Sequence, residues 1–279
     1  CKDHGIAPIW GSEKTLGYRN RAQLKSDGQR LGYMAAGSRQ IVDVQDCPIL
    51  NEHNRATLRT LRERLPAREW RTRDRRGWTT LHIDDDVDAA TVEPEQRRPF
   101  RQGNEAQNER MVTWLEEQLA ASGERPGAVE LFAGSGNFTR TLARHCSSVL
   151  AVDSFAPAVE QLGALQLQGV TARCVDLARR EDVSGLRRQV EGASLLLLDP
   201  PRDGFPEAKA FLEAATGVKT VLYISCDDFC ASRNKCLDPA TCRRDLEVFA
   251  TKGFKLESVQ PVDLYPQTPH VEMLTVLRR

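Results

Sequence analysis

The chain has 279 residues, 40% of them hydrophobic and 28% charged, which suits a folded globular protein and excludes collagen, coiled coils and disordered chains. Thirty-nine basic residues balance 39 acidic ones, so any electrostatic attraction of nucleic acid must be local. The apolar runs are far shorter than the roughly 20 residues of a membrane-spanning helix, and no signal-peptide pattern is present. The eight irregularly spaced cysteines do not form a secreted disulfide framework. We therefore expect a reduced, cytoplasmic protein without a membrane partner.

The first hundred residues have the pattern of a small antiparallel sheet with a helix. Short alternating runs separated by glycine turns are typical of strands linked by hairpins. The predicted strands lie at 21–25, 39–44 and 77–83. A leucine stripe predicts a helix over residues 54–65, which Pro66 ends. The acidic, proline-containing stretch 84–99 suggests a boundary, so we predict an α+β domain over residues 1–98.

The remainder of the chain alternates between helix and strand. An amphipathic helix is predicted over residues 108–121, with Met111, Leu115 and Leu119 facing inward. Apolar strands separated by helix-length segments are predicted at 128–132, 148–152, 172–175, 195–198 and 220–224. Strands buried on both faces and joined by helices indicate a parallel, doubly wound, Rossmann-like α/β sheet. We predict that this domain covers residues 99–279 and ends in a hairpin.

A glycine-rich loop follows the first strand of this second domain. The apolar run ending at Phe132 leads into Gly134 and Gly136, where glycine allows a tight turn close to a ligand at the carboxyl edge of the sheet. Thr139 replaces the third glycine of the dinucleotide fingerprint, which makes an oxidoreductase the weakest alternative. Glu130 completes the pattern E-x-x-x-G-x-G, which resembles the first motif of S-adenosylmethionine-dependent methyltransferases.

Two aspartates at the ends of the next strands suit the same ligand. Asp153 lies 17 residues beyond Gly136, where a carboxylate can accept hydrogen bonds from both ribose hydroxyls. Asp176 ends the third strand, where it could meet the adenine amine. Either aspartate could instead cap the helix that follows its strand. Their order after the glycine loop favours a cofactor-binding role.

A proline corner and a cysteine end the fourth and fifth strands. The two prolines of Asp199-Pro-Pro-Arg202 fix the backbone and direct Asp199 into the crevice at the strand ends. Amine methyltransferases carry a similar corner, but an aromatic residue normally follows theirs, whereas Arg202 follows here. An amine methyltransferase therefore stays an alternative, whose activity would survive loss of Cys226 at the end of the fifth strand.

Cys226 and Glu272 together suit methylation of carbon 5 of uracil. C5 is a poor nucleophile towards a sulfonium methyl group, and addition of a thiolate to C6 makes it nucleophilic. A base must then remove the C5 proton so that the thiol can be eliminated. Taken singly, Cys226 could be a small buried hydrophobic residue and Glu272 a solvated surface group. Their combination indicates catalysis.

The second domain resembles the RNA uracil-5-methyltransferases, the bacterial rRNA and tRNA m5U enzymes. The segments that match the successive motifs of this family are 130–139, 199–204, 223–226, 238–246 and 263–272. The resemblance covers nearly all of residues 99–279 and implies an S-adenosylmethionine-dependent enzyme with Cys226 as nucleophile and Glu272 as base. It also implies a set of cofactor-binding residues, namely Gln102, Phe132, Gly134, Gly136, Asn137, Asp153, Asp176 and Asp199.

The segment after Cys226 departs from the family pattern. In the family the nucleophile is followed at once by Asn-Pro-Ala-Thr, whereas residues 227–237 intervene here, so Cys236 stays an alternative nucleophile. Cys226 is favoured because an apolar strand and Tyr-Ile-Ser precede it. The cysteines around this insert could also form a metal cluster, although they lack a C-x-x-C pair. We expect no metal site there.

The iron–sulfur site of many relatives is incomplete in this sequence. Cys47 resembles the last of their four cluster cysteines, but Cys1 alone precedes it, and two thiolates cannot complete a four-cysteine site. We therefore expect no [4Fe-4S] cluster in this chain, through truncation or through loss.

A cluster of arginines predicts an RNA-binding surface in the first domain. Residues 55–76 contain nine arginines and carry a local charge of about +6, with Trp70 and Trp78 interleaved as candidate base-stacking residues. The alternative is a solvated helix face and loop. The predicted substrate-binding residues are Arg71, Arg73, Arg75, Arg76 and Arg202.

RNA is the predicted partner, and no obligate protein partner is evident. Residues 18–21 and 31–47 resemble the rRNA-directed members, so we favour 23S rRNA as the substrate and an unpaired nucleotide as the target. The alternatives are a tRNA m5U methyltransferase and a catalytically silent RNA-binding or assembly protein that retains the fold.

Overall fold

The computed structural model describes residues 6–71, 77–121, 123–228, 240–268 and 270–279, with the backbone alone for residues 226–228 and 240. Residues 13–106 form one compact unit, and the segment up to Ser12 forms a second unit together with residues 107–279. Within the described ranges, no helix is both long and apolar enough to cross a membrane.

The smaller unit contains a four-stranded antiparallel sheet in the order β3-β2-β1-β4. Its strands and helix are β1 (Arg21–Ser26), β2 (Leu31–Met34), β3 (Ile41–Asp43), α1 (Glu52–Glu63) and β4 (Thr79–Asp84). Helix α1 begins at the N-cap Asn51, whose side chain accepts a hydrogen bond from the Asn54 backbone. The helix buries Leu58 and Leu61 against the sheet, as the predicted leucine stripe requires.

The larger unit contains a seven-stranded sheet in the order β10-β11-β9-β8-β5-β6-β7. The strands are β5 (Gly127–Leu131), β6 (Ser148–Asp153), β7 (Val170–Cys174), β8 (Leu195–Leu198), β9 (Thr220–Asp228), β10 (Lys255–Val262) and β11 (His270–Arg278). Strands β5 to β9 are parallel, and β11 lies antiparallel between β9 and β10. The predicted closing hairpin is therefore β10 and β11.

Helices cover both faces of this sheet. They are α2 (Glu105–Ala120), α3 (Thr139–His145), α4 (Ala156–Ala164), α5 (Arg180–Gly185), α6 (Arg187–Val190), α7 (Ala208–Ala214) and α8 (Ala240–Thr251). In β8, Leu195 and Leu197 pack with α2, α3 and α4, whereas Leu196 and Leu198 pack with α5 to α8. The continuous apolar strand is thus buried on both faces, as a doubly wound sheet requires.

The boundary between the units lies at residues 106 and 107, not at the predicted 98 and 99. Residues 99–106 belong to the smaller unit because their backbone pairs with residues 19 and 20. The Asn20 amide donates a hydrogen bond to the Gly103 carbonyl, and Arg19 and Asn104 form an isolated antiparallel β-bridge. Near the N-terminus, Trp10 forms a parallel bridge to Val262, which adds this segment to the edge of the larger sheet. Sequence periodicity gives no signal for either contact, since both depend on isolated backbone pairings.

Candidate active site

The glycine-rich loop at the end of β5 has a backbone that only glycine adopts easily. Gly134 and Gly136 have φ angles of 54° and 96°. A Cβ atom on Gly136 would lie 2.6 Å from Leu162 Cδ1 of α4, so the loop is packed tightly at that point. A Cβ atom on Gly134 would meet nothing within 4 Å, so open space lies beside this residue. Phe132 also has a positive φ, 64°, which is unusual for a bulky residue and typical of a functional turn.

Asp153, at the end of β6, binds this loop directly. Its Oδ2 accepts a hydrogen bond from the Gly134 backbone at 2.8 Å, and its Oδ1 accepts one from the Phe155 backbone at 2.8 Å. Phe155 is the N-cap of α4 and forms no side-chain capping bond, so the alternative role of Asp153 as the cap of that helix is wrong. Each carboxylate oxygen has a further lone pair for a hydroxyl donor.

Asp176 is exposed and lies two residues beyond the end of β7. Its Oδ1 accepts a hydrogen bond from the Ala178 backbone at 3.0 Å, which stabilises the turn before α5. The N-cap of α5 is Arg179, so Asp176 does not cap that helix either. An adenine contact of Asp176 stays a prediction.

Asn137 in the loop forms a reciprocal amide pair with Asn108 of α2. Each side-chain nitrogen donates to the oxygen of the other, at 2.8 and 3.0 Å. The pair fixes the loop onto α2, a role for Asn108 that the sequence pattern did not reveal.

Two acidic side chains beneath the loop have strongly raised pKa values. Burial, opposed by a hydrogen bond that Thr139 donates and reinforced by the negative charges of Asp199 and Asp153, raises the pKa of Glu130 to about 8. Burial and the negative charge of Asp153 raise the pKa of Asp199 to about 7. Carboxylates held together in this way favour the approach of a positively charged ligand.

The two predicted catalytic residues occupy opposite positions on neighbouring strands. The antiparallel register of β9 and β11 pairs Cys226 with Glu272. Cys226 lies three residues beyond Tyr223, which is the partner of Leu198 at the end of β8. The register therefore places both catalytic positions at the carboxyl edge of the sheet, next to the Asp199 corner. Glu272 is 5% exposed.

The remaining predicted site residues lie elsewhere in the chain. Gln102 belongs to the smaller unit, where its Oε1 is buried and, among the described residues, has no hydrogen-bond partner. Arg71 and Arg202 are exposed. Arg73, Arg75, Arg76 and Cys236 lie outside the described residues.

The arginine cluster of the smaller unit is less available than its sequence suggests. Salt bridges join Arg55 to Asp46, Arg59 to Glu52, Arg62 to Asp43 and Arg64 to Glu69. Three of these carboxylates precede the arginine-rich segment in sequence, so counting charges within the segment missed them. Trp70 is fully buried, and its predicted role in base stacking is wrong, whereas Trp78 is half-buried.

The described residues contain no group of three or more His, Cys, Asp and Glu side chains arranged to hold a metal ion. Cys47 is buried in the smaller unit and its sulfur accepts a hydrogen bond from the Tyr33 hydroxyl at 3.6 Å. Cys1 lies outside the described residues, and the expectation that the iron–sulfur cluster is absent stays a prediction.

Several known proteins with sequences similar to this chain are RNA methyltransferases. The sequence profile of the tRNA (uracil-5-)-methyltransferase family matches residues 86–179. An uncharacterized RNA methyltransferase of Nitrosomonas europaea is 39% identical over 99% of this chain and 68% of its own length. The 23S rRNA (uracil(1939)-C(5))-methyltransferase of Pseudomonas entomophila is 29% identical over 97% of this chain and 69% of its own length. The chain belongs to the RNA uracil-5-methyltransferase family.

A solved structure of the same family has the same fold. The tRNA (uracil-54, C5)-methyltransferase of Pyrococcus abyssi, determined with S-adenosyl-L-homocysteine, aligns with a TM-score of 0.67 and 19% identity over 98% of this chain and 78% of its own. This structural likeness confirms the predicted fold class, and the sequence matches confirm the predicted family and enzyme class.

Proposed function

We propose that this enzyme transfers a methyl group from S-adenosylmethionine to C5 of a uridine in RNA, through a covalent adduct between Cys226 and C6 of the base. The observation that carries the proposal is the pairing of Cys226 with Glu272 across β9 and β11. Directly opposite residues of an antiparallel pair share a face of the sheet, so a nucleophile and a base at these positions serve one substrate.

In the proposed reaction Cys226 forms and later releases a bond to C6, and Glu272 removes the C5 proton. The Cys226 thiolate adds to C6, and the electron pair of the C5–C6 double bond passes into an enolate. After C5 is methylated, Glu272 removes the C5 proton, the double bond re-forms and the Cys226 sulfur leaves. The net change is replacement of the C5 hydrogen by methyl: the sulfonium sulfur of the methyl donor keeps the electron pair of the broken S–CH3 bond and becomes a neutral thioether, and the C5 proton passes to Glu272 and then to solvent.

The residues of the larger unit fit S-adenosylmethionine. When bound, this compound supplies a methyl group on a sulfonium and also carries a cationic ammonium group. Burial raises the pKa values of Asp199 and Glu130, and the negative charge of Asp153 adds to both shifts; a cation beside these groups would offset both effects. The open space beside Gly134 leaves room for a ligand against the loop backbone.

Several side chains would orient this compound. Asp153, fixed by two backbone amides, offers its remaining lone pairs to ribose hydroxyls, and Asp199 offers its carboxylate to a cation. The family resemblance adds Gln102 to this set. We assign contacts with the compound also to Phe132, Gly136, Asn137 and Asp176.

We propose 23S rRNA as the substrate RNA. Relatives that align with nearly the whole chain include enzymes named for a uridine of 23S rRNA, at 28–30% identity. The tRNA-specific protein with the same fold is 19% identical, and such a likeness concerns the fold alone. The target base must leave its stack to reach Cys226. In the smaller unit, exposed Arg71 and half-buried Trp78 offer contacts for RNA.

The test is covalent trapping on RNA that contains 5-fluorouridine. Fluorine at C5 cannot leave as a proton, so methylation stops at the adduct, which peptide mass spectrometry locates. We expect an adduct at Cys226 with labelled methyl on the base, and none with Cys226→Ala. Cys174→Ser, which changes an exposed cysteine on β7, is the matched control and should form the adduct normally.

Each other outcome contradicts one part of the proposal. An adduct at Cys236 would reassign the nucleophile, and trapping on tRNA but not on 23S rRNA would reassign the substrate. RNA binding without any adduct, or methylation that survives Cys226→Ala, would overturn the C5 mechanism in favour of a silent RNA-binding protein or an amine methyltransferase.

A further inference from the structure

A buried carboxylate on α8 joins the elements that carry the proposed catalytic residues. Asp245 is fully buried, and its Oδ2 accepts two hydrogen bonds. One comes from the Phe205 backbone at 2.6 Å and the other from the Tyr223 hydroxyl at 2.8 Å. Phe205 lies in the loop after β8, and Tyr223 lies in β9.

The other oxygen of Asp245 holds the same loop through an arginine. Asp245 Oδ1 accepts hydrogen bonds from Arg244 Nε and Nη2 at 2.9 and 2.8 Å. Arg244 Nη2 also donates to the Asp203 carbonyl at 2.9 Å. The guanidinium thus neutralises the buried carboxylate and fixes the loop at a second point. We call Asp245, Arg244, Phe205 and Tyr223 the Asp245 junction.

The loop approaches the junction so closely that its sequence is restricted. Gly204 has a φ angle of 69°, and a Cβ atom there would lie 2.5 Å from Asp245 Oδ2 and 2.7 Å from Arg244 Nη2. The Gly204 backbone also donates to the Pro201 carbonyl at 2.8 Å, which closes the turn after the proline corner. The junction therefore fixes the end of the loop that begins with Asp199.

The same junction supports the two other parts of the site. The Phe205 ring packs edge-on against Phe132 of the glycine loop, with 5.6 Å between the ring centroids. Tyr223 is three residues before Cys226, and Ser225 donates a hydrogen bond to Cys242 of α8 at 3.5 Å. Burial and the charge of Asp245 raise the pKa of Tyr223, so its hydroxyl stays a donor.

We propose that Asp245 is a positioning residue for methyl transfer, which holds the Asp199 loop and the Cys226 strand at a fixed separation through Phe205 and Tyr223. The inference rests on the proposed function, because it concerns the placement of Cys226 and Asp199. Reacting groups must be held to within a fraction of an ångström, and a displacement of about 1 Å can lower a rate about a hundredfold.

Two substitutions loosen different parts of the junction. Tyr223→Phe removes the hydroxyl that donates to Asp245, so it releases β9 from the junction and leaves the contacts with the Asp199 loop intact. Asp245→Asn retains an oxygen for Phe205 and Tyr223, but places an amide donor against Arg244, so that the ion pair and its hold on Asp203 are lost. Glu247→Gln, which breaks the exposed salt bridge to Arg243 on the outer face of the same helix, is the matched control.

The experiment measures single-turnover adduct formation on 5-fluorouridine RNA at a temperature where each variant is folded. A purely structural role would lower the amplitude and the melting temperature but leave the rate constant unchanged. We expect rate constants about tenfold or more below wild type for Tyr223→Phe and Asp245→Asn, and an unchanged one for Glu247→Gln. We also expect weaker S-adenosylmethionine binding for Asp245→Asn and unchanged binding for Tyr223→Phe.

The outcomes separate this inference from the proposed function. If wild type traps at Cys226 and both variants keep its rate constant, the positioning role is overturned. If wild type forms no adduct, the proposed function fails, and the affinities for S-adenosylmethionine then test the inference. Equal affinities of Asp245→Asn and Glu247→Gln would show that Asp245 does not position the Asp199 loop. If Asp245→Asn does not fold, Tyr223→Phe decides alone.

Discussion

At the scale of single residues, the candidate site is a set of carboxylates whose charges are poorly compensated. Glu130 accepts a hydrogen bond from the Thr139 hydroxyl, and Asp153 is held by two backbone amides. Even so, burial and neighbouring negative charge raise the pKa values of Glu130, which lies near Asp199 and Asp153, and of Asp199, which lies near Asp153. In the family to which the chain belongs, the methyl donor is a cation. The arrangement is therefore explained by the ligand better than by the stability of the fold.

The raised pKa of Asp199 predicts that binding of S-adenosylmethionine depends on pH. The pKa of the Asp199 carboxyl is raised to about 7, so the carboxylate is present above pH 7, whereas below pH 7 it must lose a proton before it can bind the cation. The Kd should therefore rise by up to about tenfold for each pH unit below 7, with proton release on binding. Isothermal calorimetry in two buffers of different ionisation enthalpy measures both quantities.

Asp199→Asn should weaken binding and flatten this dependence, whereas Asp203→Asn, an exposed change in the same loop, should preserve it. A dependence that is equally steep in Asp199→Asn would assign the titration to Glu130 instead, since the pKa of Glu130 lies near 8. A flat profile in the wild-type protein would contradict the prediction.

At the scale of elements, the turn from β5 into α3 determines whether the site can form. We predict that Gly136→Ala lowers the free energy of unfolding by about 1–3 kcal/mol, because alanine is strained at a φ of 96° and its methyl group would also lie 2.6 Å from Leu162 Cδ1. Gly134→Ala meets no atom and should cost only the backbone strain of a positive φ, about 1 kcal/mol. Both variants should bind S-adenosylmethionine more weakly.

Urea denaturation and equilibrium binding test these expectations. Gly163→Ala in α4 is the control: this helical glycine has open space around it, so alanine should stabilise the fold by about 0.5–1 kcal/mol and leave binding unchanged. Normal binding by Gly134→Ala would show that the space beside the loop is not where the cofactor lies.

The helices and strands could be predicted because the patterns that indicate them, such as apolar stripes and runs, involve residues close together in sequence. The stripe of Met111, Leu115 and Leu119 and the apolar run of β8 identify a buried helix face and a buried strand. Strand-end positions then predicted which side chains meet, as for Asp153 and the glycine loop. The hydrogen bonds that tie α8 to β9 and to the Asp199 loop at the Asp245 junction join residues 22 to 41 positions apart, and no local pattern distinguishes the buried carboxylate from a solvated one.

At the scale of the whole molecule, charge counted along the sequence differs from charge in space. The arginine-rich segment of the smaller unit has an excess of positive charge by sequence, yet Arg55, Arg59 and Arg62 are neutralised by acidic residues from outside it. The proposed attraction for RNA must therefore come from the arginines that remain exposed, such as Arg71.

We predict opposite phenotypes for two arginines of this unit. Arg62 forms a bidentate pair with Asp43 and donates to the carbonyls of Leu31 and Val44, so Arg62→Gln should lower the free energy of unfolding by about 2 kcal/mol and leave the salt dependence of RNA binding unchanged. Arg71→Gln should leave stability unchanged, weaken binding to every RNA sequence alike and reduce the slope of log K against log salt by about 1. Fluorescence anisotropy over a salt series measures the slope, and chemical denaturation measures stability. An unaltered slope in Arg71→Gln would place the phosphate contacts on a different surface.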